Sequence, residues 1–402
     1  MSLSHFSRII KALKHRGIQV VLVLALYLFL APSLSQPVHQ GFYTISLLIK
    51  DLLIWLLPIT IGFFIADAVS SFQSRAPLFV CTLIVFEALS NLSSVWYAYA
   101  GGHVVSHLLP PIQHFDIHSD FTVLWRIPLI KPFWWSPEKG ALLGLGLGCI
   151  GAITQNKLLH QIIQIGKEKA QWILTRIFSK LIPLFVLGFI ARMYQTNLLQ
   201  QMFAHYGTLL LFLIALLGLY LFSLFFVGNH CSPKKTVKAM NNILPAGMIA
   251  FSSGCSLSTM PWTIAGTAKN LKNPELAQAV IPATTNIQQI GDCIANTFLC
   301  FLIYQHFYGH PPDALMWVSF SIVFVIARFA TAAMLGGAIF IMLPIYESHL
   351  SFNAEMIAII LAFNVILDPI ITSCNVIANG ALCQIFEKFW NTLSERVYTK
   401  KI

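Results

Sequence analysis

The stretch from Ile366 to Gly380, ILDPIITSCNVIANG, sets an acid, Asp368, beside the hydrogen-bonding side chains Thr372 and Asn375 and the helix breaker Pro369, inside an apolar run fit to cross a bilayer. A carboxylate pairs with an ammonium group, and hydroxyl and amide N–H donors suit a carboxylate. An ionisable side chain in hydrocarbon costs about 2.5–3.5 kcal/mol on insertion scales, which marks Asp368 as a functional candidate; the alternative is an acid tied up in a packing salt bridge.

Other reactive side chains point less clearly. Ser252, Ser253 and Ser256 raise the possibility of a nucleophile, but no GxSxG occurs, and the histidines of this half, His306, His310 and His349, lie near its outer ends. A catalytic dyad needs its base within hydrogen-bond reach, so no enzyme is expected. His103 and His107 are four apart and precede His114, Asp116, His118 and Asp120. That spacing could bind zinc or sense protons, yet no fourth-ligand geometry is implied and a solvated loop is the preferred reading. Of the eight cysteines, only Cys231 falls in a polar loop and none forms a CxxC pair, so neither a disulfide framework nor a metal module is expected.

The elements that must carry these residues are membrane spans. With 57% apolar and 10% charged residues, the chain is far from soluble composition, in which about a quarter of residues are charged. At roughly 20 residues per span there is room for about ten segments. The net charge of +10 does not indicate nucleic-acid binding, because the basic residues cluster between apolar runs: before Gly17, at Arg75, from Lys157 to Lys180, from Lys234 to Lys238, at Lys269 and Lys272, and after Glu387. Such a sided bias places both termini and these loops in the cytoplasm.

In order, the apolar runs Ile18–Ala31 and Leu52–Ala66 form two spans. A cleaved leader is the alternative for the first, but a retained helix lets the second return inward at Arg75. Leu78–Ala100 is a third span with a polar face of Glu87, Ser90, Asn91, Ser93 and Ser94, turned to a bundle or cavity. Five prolines prevent regular helix throughout Gly101–Lys139. A fourth, glycine-rich span follows over Gly140–Ile153, then a basic, partly amphipathic surface helix, Lys157–Lys180. Leu181–Ala191 and Leu209–Val227 are spans five and six.

Beyond Lys238 the pattern changes. Asn241–Thr267 is apolar, broken at SSGCSLSTMP and flanked by cytoplasmic lysines, which reads as a re-entrant hairpin. Leu276–Tyr304 crosses outward with TTNIQQIGD inside it, Ala314–Leu350 repeats the hairpin from the other side with its break at Met334–Ala338, and Phe352–Phe386 is the last span. Paired discontinuous segments in two halves point to a transporter site at the bilayer midplane.

The segment from Asn241 to Lys388 resembles the dicarboxylate/amino acid:cation symporter family, the glutamate-transporter-like proteins. AFSSGCSLSTMPWT (Ala250–Thr263) is similar to that family's serine-rich tip followed by TLPVT, IPATTNIQQIGD (Ile281–Asp292) to the segment leading into NMDGT, GGAI (Gly336–Ile339) to its second hairpin, and ILDPIITSCNV to ILDMGRTxxNV. The resemblance implies that Asp368 holds a substrate amino group, that Thr372 and Asn375 help hold the substrate with Asn375 on its main-chain carboxylate, and that Ser256 lies at the first hairpin tip. It also places Gln288, Asn364, Asn375 and Asn379 at coupling-ion positions.

Departures from the family pattern narrow the reading. Ile371 stands where glutamate carriers have a selecting arginine, which removes a paired-donor fork for a second carboxylate. Ile290, Asn364 and Asn379 stand at aspartate positions, and hard cations prefer charged oxygens. Asp292 replaces a threonine near the substrate, either restoring a negative charge, acting as a protonatable coupler or forming a structural pair. Arg328, about two turns before the second break, is a replacement carboxylate partner, a counter-ion for Asp292, or an arginine snorkelling outward.

The expected fold is an all-α membrane protein with eight transmembrane helices, two re-entrant helical hairpins and inverted repeats. The resemblance implies a homotrimer whose protomers divide into a scaffold (1–77 and 101–205) and a mobile transport unit (78–100 and 206–402). The expected function is symport of a small, neutral amino acid by alternating access, coupled to Na+ or H+ and without an organic cofactor or bound metal. A dicarboxylate or acidic amino acid carrier using Arg328, or a ligand sensor that does not transport, remains open. The expected location is a plasma membrane, the inner one in a bacterium, with both termini cytoplasmic.

Overall fold

Backbone amides in hydrocarbon have no water to bond, so a chain this apolar must satisfy them within helices. The computed structural model, which describes residues 16–70, 77–108, 122–127, 132, 135, 137–195, 198–285, 287–331 and 338–398, is helical and shows no strand among those residues. Its helices are α1 (Arg16–Leu30), α2 (Gln36–Ser70), α3 (Pro77–Leu108), α4 (Pro137–Thr154), α5 (Lys157–Trp172), α6 (Ser179–Gln195), α7 (Leu198–Gly228), α8 (Pro233–Ser253), α9 (Ser256–Ala268), α10 (Glu275–Thr284), α11 (Ile290–Tyr308), α12 (Ala314–Thr331), α13 (Ala338–Leu350) and α14 (Ala354–Tyr398).

Glycines set the closest approach in the N-terminal half. A Cβ on Gly140 would lie 2.3 Å from the Pro58 carbonyl oxygen, and one on Gly144 would lie 2.2 Å from that of Gly62. The two backbones of α2 and α4 therefore meet directly, as small residues allow in membranes. On the other side of α2, Ser46 donates to the Leu184 carbonyl of α6 (3.0 Å). The basic segment after α4 begins at Asn156, whose side chain accepts from the Leu158 and Leu159 amides as an N-cap. α5 leaves Leu158, Ile162, Ile165 and Trp172 exposed and is tied to α2 by Lys167–Asp67 at 2.6 Å. After a π-helical turn, Ile173–Phe178, the chain turns by 55° into α6.

Two pairs of helices fold back on themselves. α8 ends at Gly254, whose φ of 58° lies in the left-handed region that glycine enters without a Cβ penalty. α9 returns alongside, and Asn242 donates to the Asn270 side chain (2.7 Å) while Asn270 donates to the Ala239 carbonyl (3.0 Å). α12 and α13 likewise return, with Ser319 and His349 hydrogen-bonded at 3.0 Å. Most of the break expected over Met334–Ala338 lies outside the described residues.

The segment expected to cross as one span, Leu276–Tyr304, is divided: α10 stops at Thr284 and α11 starts at Ile290. The unwound backbone between them is bonded by a side chain of α3, as Asn91 donates to the Ile287 carbonyl (3.0 Å) and accepts from the Gln289 amide (3.2 Å). The helix α3 itself continues to Leu108, past the expected end at Ala100, and carries His103 and His107 with it. Nearly all of α11 is buried, at the centre of the main core with α12, α13 and the first half of α14. Among the described residues, Leu209–Gly228 and Ile366–Leu393 are long and apolar enough to cross a membrane unaided, and four further apolar stretches are shorter.

Adding a methyl group at Gly144 must push α2 and α4 apart, whereas nothing lies within 4 Å of a Cβ at Gly146. Gly144→Ala is expected to destabilise the protein by about 1–3 kcal/mol. Gly146→Ala should be neutral or slightly stabilising, and thermal unfolding of the two purified variants in detergent checks the contrast.

Candidate functional site

The start of α11 has main-chain N–H groups without helical acceptors. Asn375 of α14 supplies one: its Oδ1 accepts from the Gly291 amide at 2.8 Å and from the Asp292 amide at 3.3 Å. This needs the two backbones in contact, and Gly291 permits it, since a Cβ there would lie 2.6 Å from the Ile371 carbonyl oxygen and 2.9 Å from Asn375 Oδ1.

The Asp292 carboxylate gathers three elements. Its Oδ2 accepts from Asn375 Nδ2 at 2.8 Å, and its Oδ1 accepts from Asn296 Nδ2, one turn further along α11, at 3.3 Å. Arg328 Nη1 of α12 lies 3.1 Å from the same Oδ1 and also donates to Gln289 Oε1 at 3.1 Å. Arg328 is fully buried, with its Cζ 5.1 Å from the Phe324 ring centroid. It is thus a counter-ion of Asp292 and not a side chain reaching the surface. From Asn296 the network continues to Asn364, which donates to it at 2.8 Å.

The remaining expected residues separate into two groups. Gln288 is buried in the unwound segment; with its amide oriented to satisfy both atoms, it donates to the Asn375 carbonyl (2.8 Å) and accepts from the Ile290 amide (3.3 Å). Asn379 is buried and accepts from the Thr284 hydroxyl at 2.7 Å. Asn364, Gln288 and Asn379 therefore bond to the chain itself. Asp368 is partly buried, and its carboxylate has no hydrogen-bond partner among the described residues. Thr372 is buried one turn beyond it.

The arms of the α8–α9 pair lie along α14. Ser373 donates to the Gly247 carbonyl (2.9 Å), while Gly380 packs on Ile243 and Thr267. Sequence numbers fall along α14 as they rise along α8, so carrying this register forward from Gly247 brings the tip at Gly254 to the level of Asp368–Thr372. Ser256 opens α9 just after that tip and is partly buried.

A family model described as the sodium:dicarboxylate symporter family matches residues 141–389. The chain belongs to that family. No curated protein matches it. The matched span runs from α4 into α14 and contains the whole site except Asn91. The suspected membership read from the hairpin and ILDPIITSCNV motifs is correct.

For a symporter of this family the structure adds three participants. Asn91 was visible only as part of a polar face, Gln289 only as one letter of a motif, and Asn296 not at all. The four-residue separation of Asp292 and Asn296 was the available signal, since such residues share a helix face. The histidine pair has an aromatic environment: His103 stacks edge-on against Tyr99 and Phe301 with centroids at 4.7 and 4.8 Å. No group of three or more metal-ligating His, Cys, Asp or Glu occurs among the described residues, which do not include His114, Asp116, His118 or Asp120.

Asn375→Ala strands the Gly291 amide and removes one donor from a partly buried carboxylate. It should destabilise by about 1–3 kcal/mol, more than Ser373→Ala, which deletes a single bond worth about 0.5–1.5 kcal/mol. Thermal unfolding of both variants measures the difference.

Proposed function

We propose that this symporter carries a small, neutral amino acid by alternating access. The observation that carries the reading is the contrast between two acids. Asp292 is engaged by Arg328, Asn375 and Asn296, whereas the carboxylate of Asp368, one turn before Thr372 on α14, has no hydrogen-bond partner among the described residues. Asp368 then receives the substrate ammonium group, and Thr372 and the second N–H of the Asn375 amide are donors for its carboxylate. Ser256 faces the substrate from the first hairpin tip, with helix N-terminal polarity favouring the anionic group. A dicarboxylate, the class that the family's description names, would need Arg328 to leave Asp292, and breaking a buried pair costs about 3–5 kcal/mol.

In the proposed architecture α8–α9 and α12–α13 are re-entrant hairpins within a multi-pass protein whose termini are cytoplasmic. The scaffold comprises 1–77 and 101–205, the mobile unit 78–100 and 206–402, and three protomers assemble in a plasma membrane. The glycine contacts of α2 with α4 and the Ser46 bond to α6 support the first unit. Among the described residues two ion pairs cross between the units, Lys50–Glu347 (2.6 Å) and Arg192–Glu355. Both must break when the mobile unit slides.

Uptake by purified protein in liposomes, with sodium and proton gradients imposed separately over neutral amino acids, acidic amino acids and dicarboxylates, tests the substrate class. A neutral amino acid should accumulate. Asp368→Asn should weaken its binding roughly 10–100-fold, from the loss of a charge-assisted hydrogen bond. Preferential uptake of a dicarboxylate, lost in Arg328→Ala, would transfer the substrate role to Arg328, and binding without uptake under any gradient would make the chain a sensor.

Joining positions 50 and 347 through introduced cysteines and a reducible dithiol linker, in a protein lacking its native cysteines, should stop uptake until the linker is cleaved. Undiminished uptake by the cross-linked protein would rule out sliding between these units.

A further inference from the structure

A carboxylate largely shielded from water in a helix bundle must be matched by positive charge, because isolating it from water and from a partner carries a large penalty. A symporter can meet that need with a mobile cation that arrives and departs, or with one fixed to the chain. At Asp292 the second solution is present. Asp292 Oδ1 and Gln289 Oε1 converge on a single nitrogen, Arg328 Nη1, each at 3.1 Å. A carboxylate and a carbonyl-type oxygen converging in this way are also the donor set that a hard metal cation takes. A guanidinium neither loses its proton nor dissociates from the chain. Phe324 flanks its carbon and the side chain is fully buried, so this positive charge is held in place.

We infer that Arg328 is a tethered cation filling a monovalent-cation site formed by Asp292 and Gln289, so that no sodium ion binds there in the native protein and removal of the guanidinium opens the site to sodium. The inference deepens the transport reading, on which its meaning for coupling rests. It leaves Asp368, which has no such fixed counter-charge among the described residues, as the acid available to a mobile ligand.

The experiment compares thermal unfolding of the detergent-purified full chain in sodium chloride and in choline chloride at equal ionic strength. Arg328→Gln should acquire a saturable, sodium-specific rise beyond any shown by the native protein, roughly 1–2 °C at sodium ten times its Kd. Arg328→Lys, which keeps a fixed charge, and the neutral double variant Arg328→Gln/Asp292→Asn should both respond as the native protein does. An Arg328→Gln protein whose sodium response equals the native one overturns the proposal. If that variant cannot be purified, the double variant decides: an unchanged sodium response supports a site closed to sodium in the native protein, and a smaller one shows sodium already bound at Asp292 and overturns it. Liposome uptake is scored separately. The expected sodium pattern without uptake of any probe would remove the transport reading and keep the tethered cation; uptake with an Asp292-dependent sodium response in the native protein would do the reverse.

Discussion

The pair of Asp292 and Arg328 is the constraint around which the C-terminal half is arranged. Neither charge is tolerable alone at this depth, and removing one partner of a buried pair costs about 3–5 kcal/mol. The pair fixes the last turns of α12 against the first turn of α11. Asn375, which bonds both the Asp292 carboxylate and the amides beside it, then fixes α14 against the same turn. Three helices distant in sequence are held at one point by a single carboxylate, and the glycine at 291 is what lets the third come close enough.

The broken helix α10–α11 follows from the same economy of polar groups. The break between α10 and α11 frees main-chain donors and acceptors, which persist at depth only when protein groups or water satisfy them. Asn91 from α3, Asn375 from α14 and Gln288 within the break provide those partners. Many of the polar side chains in these helices are therefore committed to the backbone, which explains why a polar residue in a span is not by itself a ligand. Asp368 stands out against this background because it is an acid without such a commitment. The contact of α2 with α4 in the N-terminal half is of another kind, with glycines set directly against carbonyl oxygens.

Much of the fold was legible in the apolar runs and in the residues that interrupt them. Gly254 and the serines around it marked the first turn-back, and lysines at both ends of Asn241–Thr267 marked its return. The division of Leu276–Tyr304 was less legible: TTNIQQIGD was visibly polar, but whether it unwinds depends on Asn91, nearly 200 positions away, reaching its backbone. Of the site, Asp368, Thr372 and Asn375 announced themselves as polar residues in an apolar run, while Asn296 resembled any lone polar residue in a buried helix.

What the sequence by itself determined is the all-helical, apolar character of the chain, its family through the ILDPIITSCNV and hairpin motifs, and the presence of acids in segments that disfavour charge. These follow from composition and local order, which act on neighbours in the chain. Only the tertiary structure decided which acid is committed. Arg328 was equally compatible with a substrate, with Asp292 or with the membrane surface until α12 was set against α11, because the partner of a buried charge is chosen by distance through space and sequence separation carries no record of it.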